Sequence, residues 1–271
     1  MAICQYQRPN GLVWLESQTI SVSGGVAHGF STRQGGVSTG CFDSLNLGHT
    51  RGDDPVAVRE NYRRFCEATG AGRVEDLVLS HQVHQDHIRL CTADDRGKGL
   101  DRPRDYDADG LMTDQRGLPL FIFSADCIPI LFYDPVRRAV AACHAGWRGT
   151  AQAIAAKTVR CMAEAFGSRP EDLLTAIGPG IGPCCFTTHE DVPQAMVGAL
   201  GDLALPYISP AAEKGKYHVD LKGINSALLR SAGVDSVEVS DHCTGCRQDL
   251  YWSHRFTGSA RGSMGAVIML T

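Results

Sequence analysis

The sequence predicts an α+β fold, with mixed sheets and helices laid outside them, organised as one domain over residues 1–271. Three observations carry this. Short apolar runs of β character alternate with amphipathic helical stretches, without internal repeats. Runs over 110–113, 120–124, 128–133 and 139–144 follow one another with no helix between them, whereas parallel βαβ units need a long crossover between neighbouring strands. No Pro/Gly/Ser-rich linker or shift in composition divides the 271 residues, a length that can fill one large core.

Taken in order, the first strand covers 26–31 and runs into a glycine-rich loop holding Gly35-Gly36. A helix over 55–70 starts at Pro55 and stops at Gly70. Strands follow over 77–82, 110–113, 120–124, 128–133 and 139–144, the last two joined by the turn-like Tyr133-Asp134-Pro135 and therefore expected to be neighbours. After Gly149 a helix is predicted over 150–166, its free N-terminal amides favouring an anion or thiolate nearby. A strand over 174–177 leads into Gly178-Pro-Gly-Ile-Gly-Pro183, whose glycines and prolines enforce an irregular path, either a pocket wall or a rigid connection. Helices over 189–200 and 221–232 and strands over 237–239 and 266–270 complete the chain.

Composition excludes several classes. Lys and Arg number 26 against 30 acidic residues, a net charge of −4, and no basic run offers a nucleic-acid surface. The N-terminus lacks an apolar signal core, and no apolar run approaches the roughly 18 residues a membrane span needs, so a cytoplasmic protein is expected. Eleven cysteines, an odd number scattered along the chain, do not form the framework of a small secreted module and are expected as thiols. Cys143, in an apolar run, reads as core. Cys243-Thr-Gly-Cys246 has the spacing of half a zinc ribbon, yet no second CxxC completes it, and it reads as a turn near the pocket.

The chemistry concentrates in Ser124-Ala-Asp126-Cys127, followed 17 residues after the cysteine (144 − 127) by His144-Ala-Gly-Trp147-Arg148. A thiol and an imidazole thus come from consecutive elements. A third member lies in Ser80-His81-Gln-Val-His84-Gln-Asp-His87, which as an extended strand alternates its faces and offers one inward imidazole. Together they make a His2Cys set, three ligands that leave a tetrahedral position open, as in catalytic zinc sites. Around it, Arg33 and Arg148 are candidates for holding phosphate through the guanidinium fork, or for internal ion pairs. Asn46 can orient a ribose or a base, or simply make a turn. Asp126, the nearest acid in sequence, can transfer a proton, hold a ligand imidazole, or pair structurally. Ser253 and Arg255, after Tyr251-Trp252, either close the pocket or sit on an ordinary strand.

These segments also carry a resemblance. Gly29-Phe-Ser-Thr-Arg33-Gln-Gly-Gly36, Ser44-Leu-Asn46-Leu-Gly48, Gly52-Asp-Asp-Pro55, Gln82-Val-His84, Ala125-Asp-Cys127-Ile-Pro129, His144-Ala-Gly-Trp-Arg-Gly149, Ile177-Gly-Pro-Gly-Ile-Gly-Pro-Cys-Cys185-Phe and Trp252-Ser253-His-Arg255 stand in the order found in one family. Through them the chain resembles bacterial multicopper polyphenol oxidase, or laccase-domain, proteins, members of which are described as zinc-dependent purine nucleoside enzymes. The resemblance implies an α/β/β/α arrangement, and His84, Cys127 and His144 as metal ligands. It also implies phosphorolysis of adenosine, inosine, guanosine or methylthioadenosine, with deamination of adenosine. Thr187 and Ala260-Arg261 depart from the pattern, where the family often has an acid and glycine-arginine.

Two other enzyme classes stay open. Without metal, Cys127 and His144 form the pair of a cysteine hydrolase or amidase, including the peptidoglycan-precursor editing attached to parts of this family. Copper oxidation, the family's older label, requires many histidines arranged in pairs, and the ten here contain no His-x-His. A metal-sensing or partner-binding module would rarely need an open coordination position.

Overall fold

The computed structural model describes residues 3–271. In chain order the strands are β1 (Ile3–Gln7), β2 (Val13–Ser17), β3 (Val26–Ser31), β4 (Val78–Leu79), β5 (Ile88–Leu90), β6 (Gly110–Thr113), β7 (Leu120–Ser124), β8 (Ile128–Asp134), β9 (Ala139–Ala145), β10 (Leu174–Ile177), β11 (Thr187–Thr188), β12 (Ile208–Pro210), β13 (Tyr217–Val219), β14 (Ser236–Val239) and β15 (Met264–Leu270). The helices are α1 (Gln18–Ser23), α2 (Pro55–Thr69), α3 (Trp147–Ala151), α4 (Ile154–Phe166), α5 (Asp191–Leu200), α6 (Leu221–Ser231) and α7 (His254–Thr257).

Two six-stranded mixed sheets, ordered β1-β2-β3-β15-β7-β4 and β14-β10-β8-β9-β6-β5, form the centre, with a small sheet β11-β13-β12 beside them. Most pairs are antiparallel, and β4/β7, β5/β6 and β10/β14 are parallel. Period-2 alternation explains the layering. In β7, Leu120 and Ile122 point between the sheets and Phe121 points to the outer face; in β8, Leu131 and Tyr133 point between the sheets and Ile130 and Phe132 away from them. The outer face of the first sheet packs on Val58, Tyr62 and Phe65 of α2, and that of the second on α4, α5 and α6 through Val159, Met196 and Ile224. The result is the α/β/β/α sandwich that the resemblance implied. Both faces of the central strands are buried, so β7, β8 and β9 read as continuous apolar runs.

Local signals set the helix ends. Asp54 caps α2 by accepting from the Val56 N–H, Pro55 opens the first turn, and Gly70 stops it at φ 71°. The helix predicted over 150–166 is broken, because Ala153 takes a left-handed conformation at φ 55° between α3 and α4. The strand predicted over 77–82 shrinks to β4, and the histidine segment beyond it is a loop, so strand alternation does not govern those side chains. Among the described residues, no helix is long and apolar enough to cross a membrane.

Candidate active site

The β8–β9 hairpin brings the site together. Asp134 Oδ1 accepts from the Val136 and Arg137 amides at 2.8 and 2.9 Å and closes the turn, and the register pairs Ile128 with Ala145 and Pro129 with His144. Cys127, one residue before β8, therefore lies beside His144 near the end of β9. The third residue arrives by a different route. Asp109, fully buried just before β6, accepts from the amides of Val83, His84 and Gln85 at 3.1, 3.0 and 2.8 Å, gathering the loop around its carboxylate and fixing His84 at φ 60°. The other two histidines of the segment turn aside, with His81 Nδ1 at 2.6 Å from Asp107 Oδ1 and His87 Nδ1 at 2.7 Å from the Asp107 carbonyl.

The metal-ligating atoms of His84, Cys127 and His144 lie within 4.8 Å of one another. The two imidazoles meet edge to face, centroids 4.9 Å apart. Asp109 Oδ1 also sits 2.9 Å from His144 Nδ1, so a proton held there leaves Nε2 as the donor, the carboxylate–histidine arrangement common at metal sites. Burial alone would raise the Cys127 thiol, but the adjacent His144 and His84 imidazoles bring it down to about 6. Burial alone would lower His144, but the Cys127 thiolate and Asp109 raise it to about 9. Each group thus favours the charged form of the other. The residues fit a metal ion: one thiolate and two imidazoles converge, and a Cβ added at Gly146 would stand 3.1 Å from both Cys127 Sγ and His84 Cδ2, so glycine alone leaves the donors room.

Two clefts meet at this set, sharing His84, Ala125 and Cys127. The smaller, about 260 Å³, is lined by His49, Arg51, Arg104, Phe123 and Arg261 and has no acidic side chain in its wall. Arg261 is 6 % exposed, its Nε has no hydrogen-bond partner, and burial with Arg51 close by lowers its pKa to about 10. Such a cationic wall favours negative charge in the cleft. The larger cleft, about 570 Å³, is lined by Trp147, Arg148, Ile181, Phe186, Val192 and Arg255, offering flat apolar surface with charged groups at intervals.

The sequence candidates divide between these clefts and the framework. Arg148 lines the larger cleft with its guanidinium 4.1 Å over Trp147, and Arg255 lines it while donating to the Thr187 carbonyl at 2.6 Å. Arg33 lines neither: its guanidinium donates to the carbonyls of Asp43 and Gln248 and stacks 3.8 Å over Trp252, contacts that tie three loops together. Asn46 is fully buried and bonded to Asp53, Gly48 and Ser263, a framework residue rather than a nucleoside contact. Ser253 is 2 % exposed and donates to Asp126. Asp126, at φ 87°, accepts from Thr244 Oγ1 at 2.6 Å, Ser253 Oγ at 3.1 Å and the Arg255 amide at 2.7 Å, so its carboxylate ties the Cys127 turn to the 244–255 segment instead of holding an imidazole. That role falls to Asp109, which no motif singled out. Its only signal was an acid immediately before an apolar strand, preceded by Asp107-Ala108. Arg51 and Arg104 likewise stood in polar loops without periodicity, whereas Arg261 occupies the departure at Ala260-Arg261.

Comparison with known proteins identifies the family and the fold. Residues 27–271 match the family model described as multi-copper polyphenol oxidoreductase laccase. The purine nucleoside phosphorylase YlmD of Geobacillus stearothermophilus is 39% identical over 263 residues, 94% of this chain and 93% of that protein. The purine nucleoside phosphorylase LACC1 of Homo sapiens is 34% identical over 236 residues, 84% of this chain and 51% of that protein. Among solved structures, the Bacillus licheniformis hypothetical protein YfiH superposes with a TM-score of 0.90 at 34% identity, covering 98% of this chain and 99% of that one. With matching motifs, fold and sequence over nearly its whole length, the chain belongs to the multi-copper polyphenol oxidoreductase laccase family.

Proposed function

We propose that the chain is, over its full length, a zinc-dependent purine nucleoside phosphorylase acting on adenosine, inosine, guanosine and methylthioadenosine, with adenosine deaminase activity, in the cytoplasm. The observation that carries this reading is the His84/Cys127/His144 set, backed by Asp109, at the junction of a cationic cleft and a larger aromatic one. Relatives named purine nucleoside phosphorylase support the reaction class.

Phosphate sits in the smaller cleft against Arg51, Arg104 and Arg261, and the purine lies in the larger one against Trp147 and Phe186, with Arg148 and Arg255 at its polar edge. In phosphorolysis a phosphate oxygen bonds to C1′ as the bond from C1′ to the purine nitrogen breaks, and the electron pair and a proton end on the base. Zinc supplies Lewis-acid polarisation at the junction when bound. The arginines orient phosphate and balance its charge, and Asp109 keeps His144 in one tautomer. In deamination water adds at C6 and the amino group leaves as ammonia, with C1′ untouched, so the reaction needs no anion in the smaller cleft.

The test is product identification from each nucleoside with and without phosphate. Free base and the corresponding sugar 1-phosphate, ribose 1-phosphate or, from methylthioadenosine, 5-methylthioribose 1-phosphate, should appear only with phosphate, and inosine should form from adenosine in its absence. No phosphate-dependent release of base from any of the four would overturn the proposal. A second reading, a cysteine hydrolase or amidase acting on peptidoglycan precursors, is favoured by one observation: Cys127, His144 and Asp109 also form a thiolate–imidazolium–carboxylate relay. It predicts activity that survives chelation and a covalent adduct on Cys127, whereas zinc dependence predicts loss on chelation.

A further inference from the structure

We propose that Cys184, Cys185, Cys243 and Cys246 form a second metal site, a tetrathiolate that holds one zinc ion and braces the active-site wall. Their sulfurs lie within 4.8 Å of one another, with Cys246 Sγ 3.4 Å from that of Cys184 and 3.5 Å from that of Cys185. Zinc–sulfur bonds of about 2.3 Å in a tetrahedron require sulfurs about 3.8 Å apart, the spacing this cluster brackets. The missing half of the ribbon is therefore the adjacent pair Cys184-Cys185, which the irregular 178–183 loop carries to the CxxC turn.

Independent features show that the chain is shaped to admit these sulfurs. A Cβ at Gly182 would stand 3.2 Å from Cys243 Cβ and 3.3 Å from Cys184 Sγ, and one at Gly245 would stand 2.8 and 2.9 Å from Cys185 Cβ and Sγ. A side chain at Gly245 would force its neighbours apart, and one at Gly182 would crowd them. The Gly182 amide donates to Cys243 Sγ at 3.1 Å, the bond that stabilises a ligating thiolate. Lys222, 7 % exposed, donates to the carbonyls of Ser240 and His242 and places a buried cation beside the charge four thiolates would bring. An all-sulfur set selects a borderline-soft ion and leaves no open position, so this site is structural.

The cluster sits where bracing counts. Thr244, between the CxxC cysteines, donates its amide to the Gly180 carbonyl at 3.1 Å and its hydroxyl to Asp126 at 2.6 Å, while Ile181 donates to the Asp126 carbonyl at 2.7 Å. An ion joining the two segments fixes the turn that presents Cys127.

Zinc per chain is measured by plasma mass spectrometry on reduced, gel-filtered full-length protein, wild type and variants. The expected content is about two zinc ions in wild type, about one in Cys127→Ala, about one in Cys246→Ser or Cys184→Ser, and none in Cys127→Ala/Cys246→Ser. Cys184 is exposed, so its serine variant keeps the test open should Cys246→Ser fail to fold. In cobalt-loaded Cys127→Ala the thiolate charge-transfer absorption should persist, and it should vanish when Cys246→Ser is added. Unchanged zinc in both serine variants, a Cys127→Ala protein without zinc, or a disulfide among these four cysteines in metal-replete protein would overturn the site. These readouts do not involve nucleosides, so the proposed activity can fail without affecting them.

Discussion

Replacing Asp109 by asparagine tests how far this family site depends on a residue that is not a ligand. Asp109 Oδ1 contacts the His84 amide and His144 Nδ1, and Oδ2 contacts the amides of Val83 and Gln85. An asparagine has two ways to sit there. With its oxygen toward His144, the NH2 faces two N–H donors in place of their acceptor, at about 1–3 kcal/mol for each one left unsatisfied. With its NH2 toward His144, the imidazole must carry its proton on Nε2, the nitrogen needed by the metal. Either orientation loosens the set, and losing such a partner costs about 10–100-fold in metal affinity, about 1.4–2.7 kcal/mol at about 1.4 per decade. Zinc affinity is read by competition with a chromophoric chelator, and the fold by thermal unfolding of the metal-free protein. The expected result is weakened zinc together with a lowered Tm. Zinc affinity within about threefold of wild type and an unshifted Tm would show that the carboxylate neither orients His144 nor gathers the loop.

Two further outcomes follow from buried cations and a buried imidazole. Arg261→Met should cut phosphorolysis by about 10²-fold, about 2.7 kcal/mol, mostly through phosphate KM, and should reduce phosphate-free deamination much less; Arg33→Met, outside both clefts, should leave phosphate KM nearly unchanged. Steady-state kinetics on both variants decide it, and equal losses in the two reactions would remove Arg261 from the phosphate site. His28, 2 % exposed and accepting from the Ser17 amide, is lowered by burial from 6.5 to about 4, so between those values the unfolded chain binds more protons than the folded one. Tm should therefore fall as pH drops from about 6.5 toward about 4, and His28→Gln should flatten that slope; a slope identical to wild type would exclude His28 as its source.

Sequence pattern located what repeats and missed what converges. The strands around the site were legible because burial on both faces leaves continuous apolar runs, and because the Asp134 turn joins two of them. Cys127 and His144 were legible for the same reason, as polar groups at the ends of such runs. His84 was selected only through resemblance: the extended path expected for its segment does not exist, since three amides pointing at one carboxylate curl the chain. That carboxylate comes from 25 residues away, and no local spacing encodes it. Arg33 shows the converse. A guanidinium after a glycine-rich loop resembles a phosphate clamp, yet here it lines neither cleft and engages backbone carbonyls and an indole. Polar residues in loops are assigned by what surrounds them in space, which the one-dimensional pattern does not hold.

The two strained residues of the site show how the framework and the chemistry are joined. Of the non-glycine residues at positive φ, His84 is one of the three candidate ligands and Asp126 precedes another. Such conformations cost about 1–3 kcal/mol each and persist only where neighbouring contacts enforce them. At His84 the enforcing contact is Asp109, which also holds His144, so one buried carboxylate positions two imidazoles at once. At Asp126 the residue supplies its own contacts, to Thr244, Ser253 and Arg255, and its backbone receives Ile181. Cys127 is thereby referred to the same segments that carry the four-cysteine cluster. A candidate ligand set anchored on one side by a carboxylate inside the sheet core and on the other by the hydrogen bonds of Asp126 to Thr244 and Arg255 has little freedom to spread when metal is absent, so the site should be largely formed before metal binds.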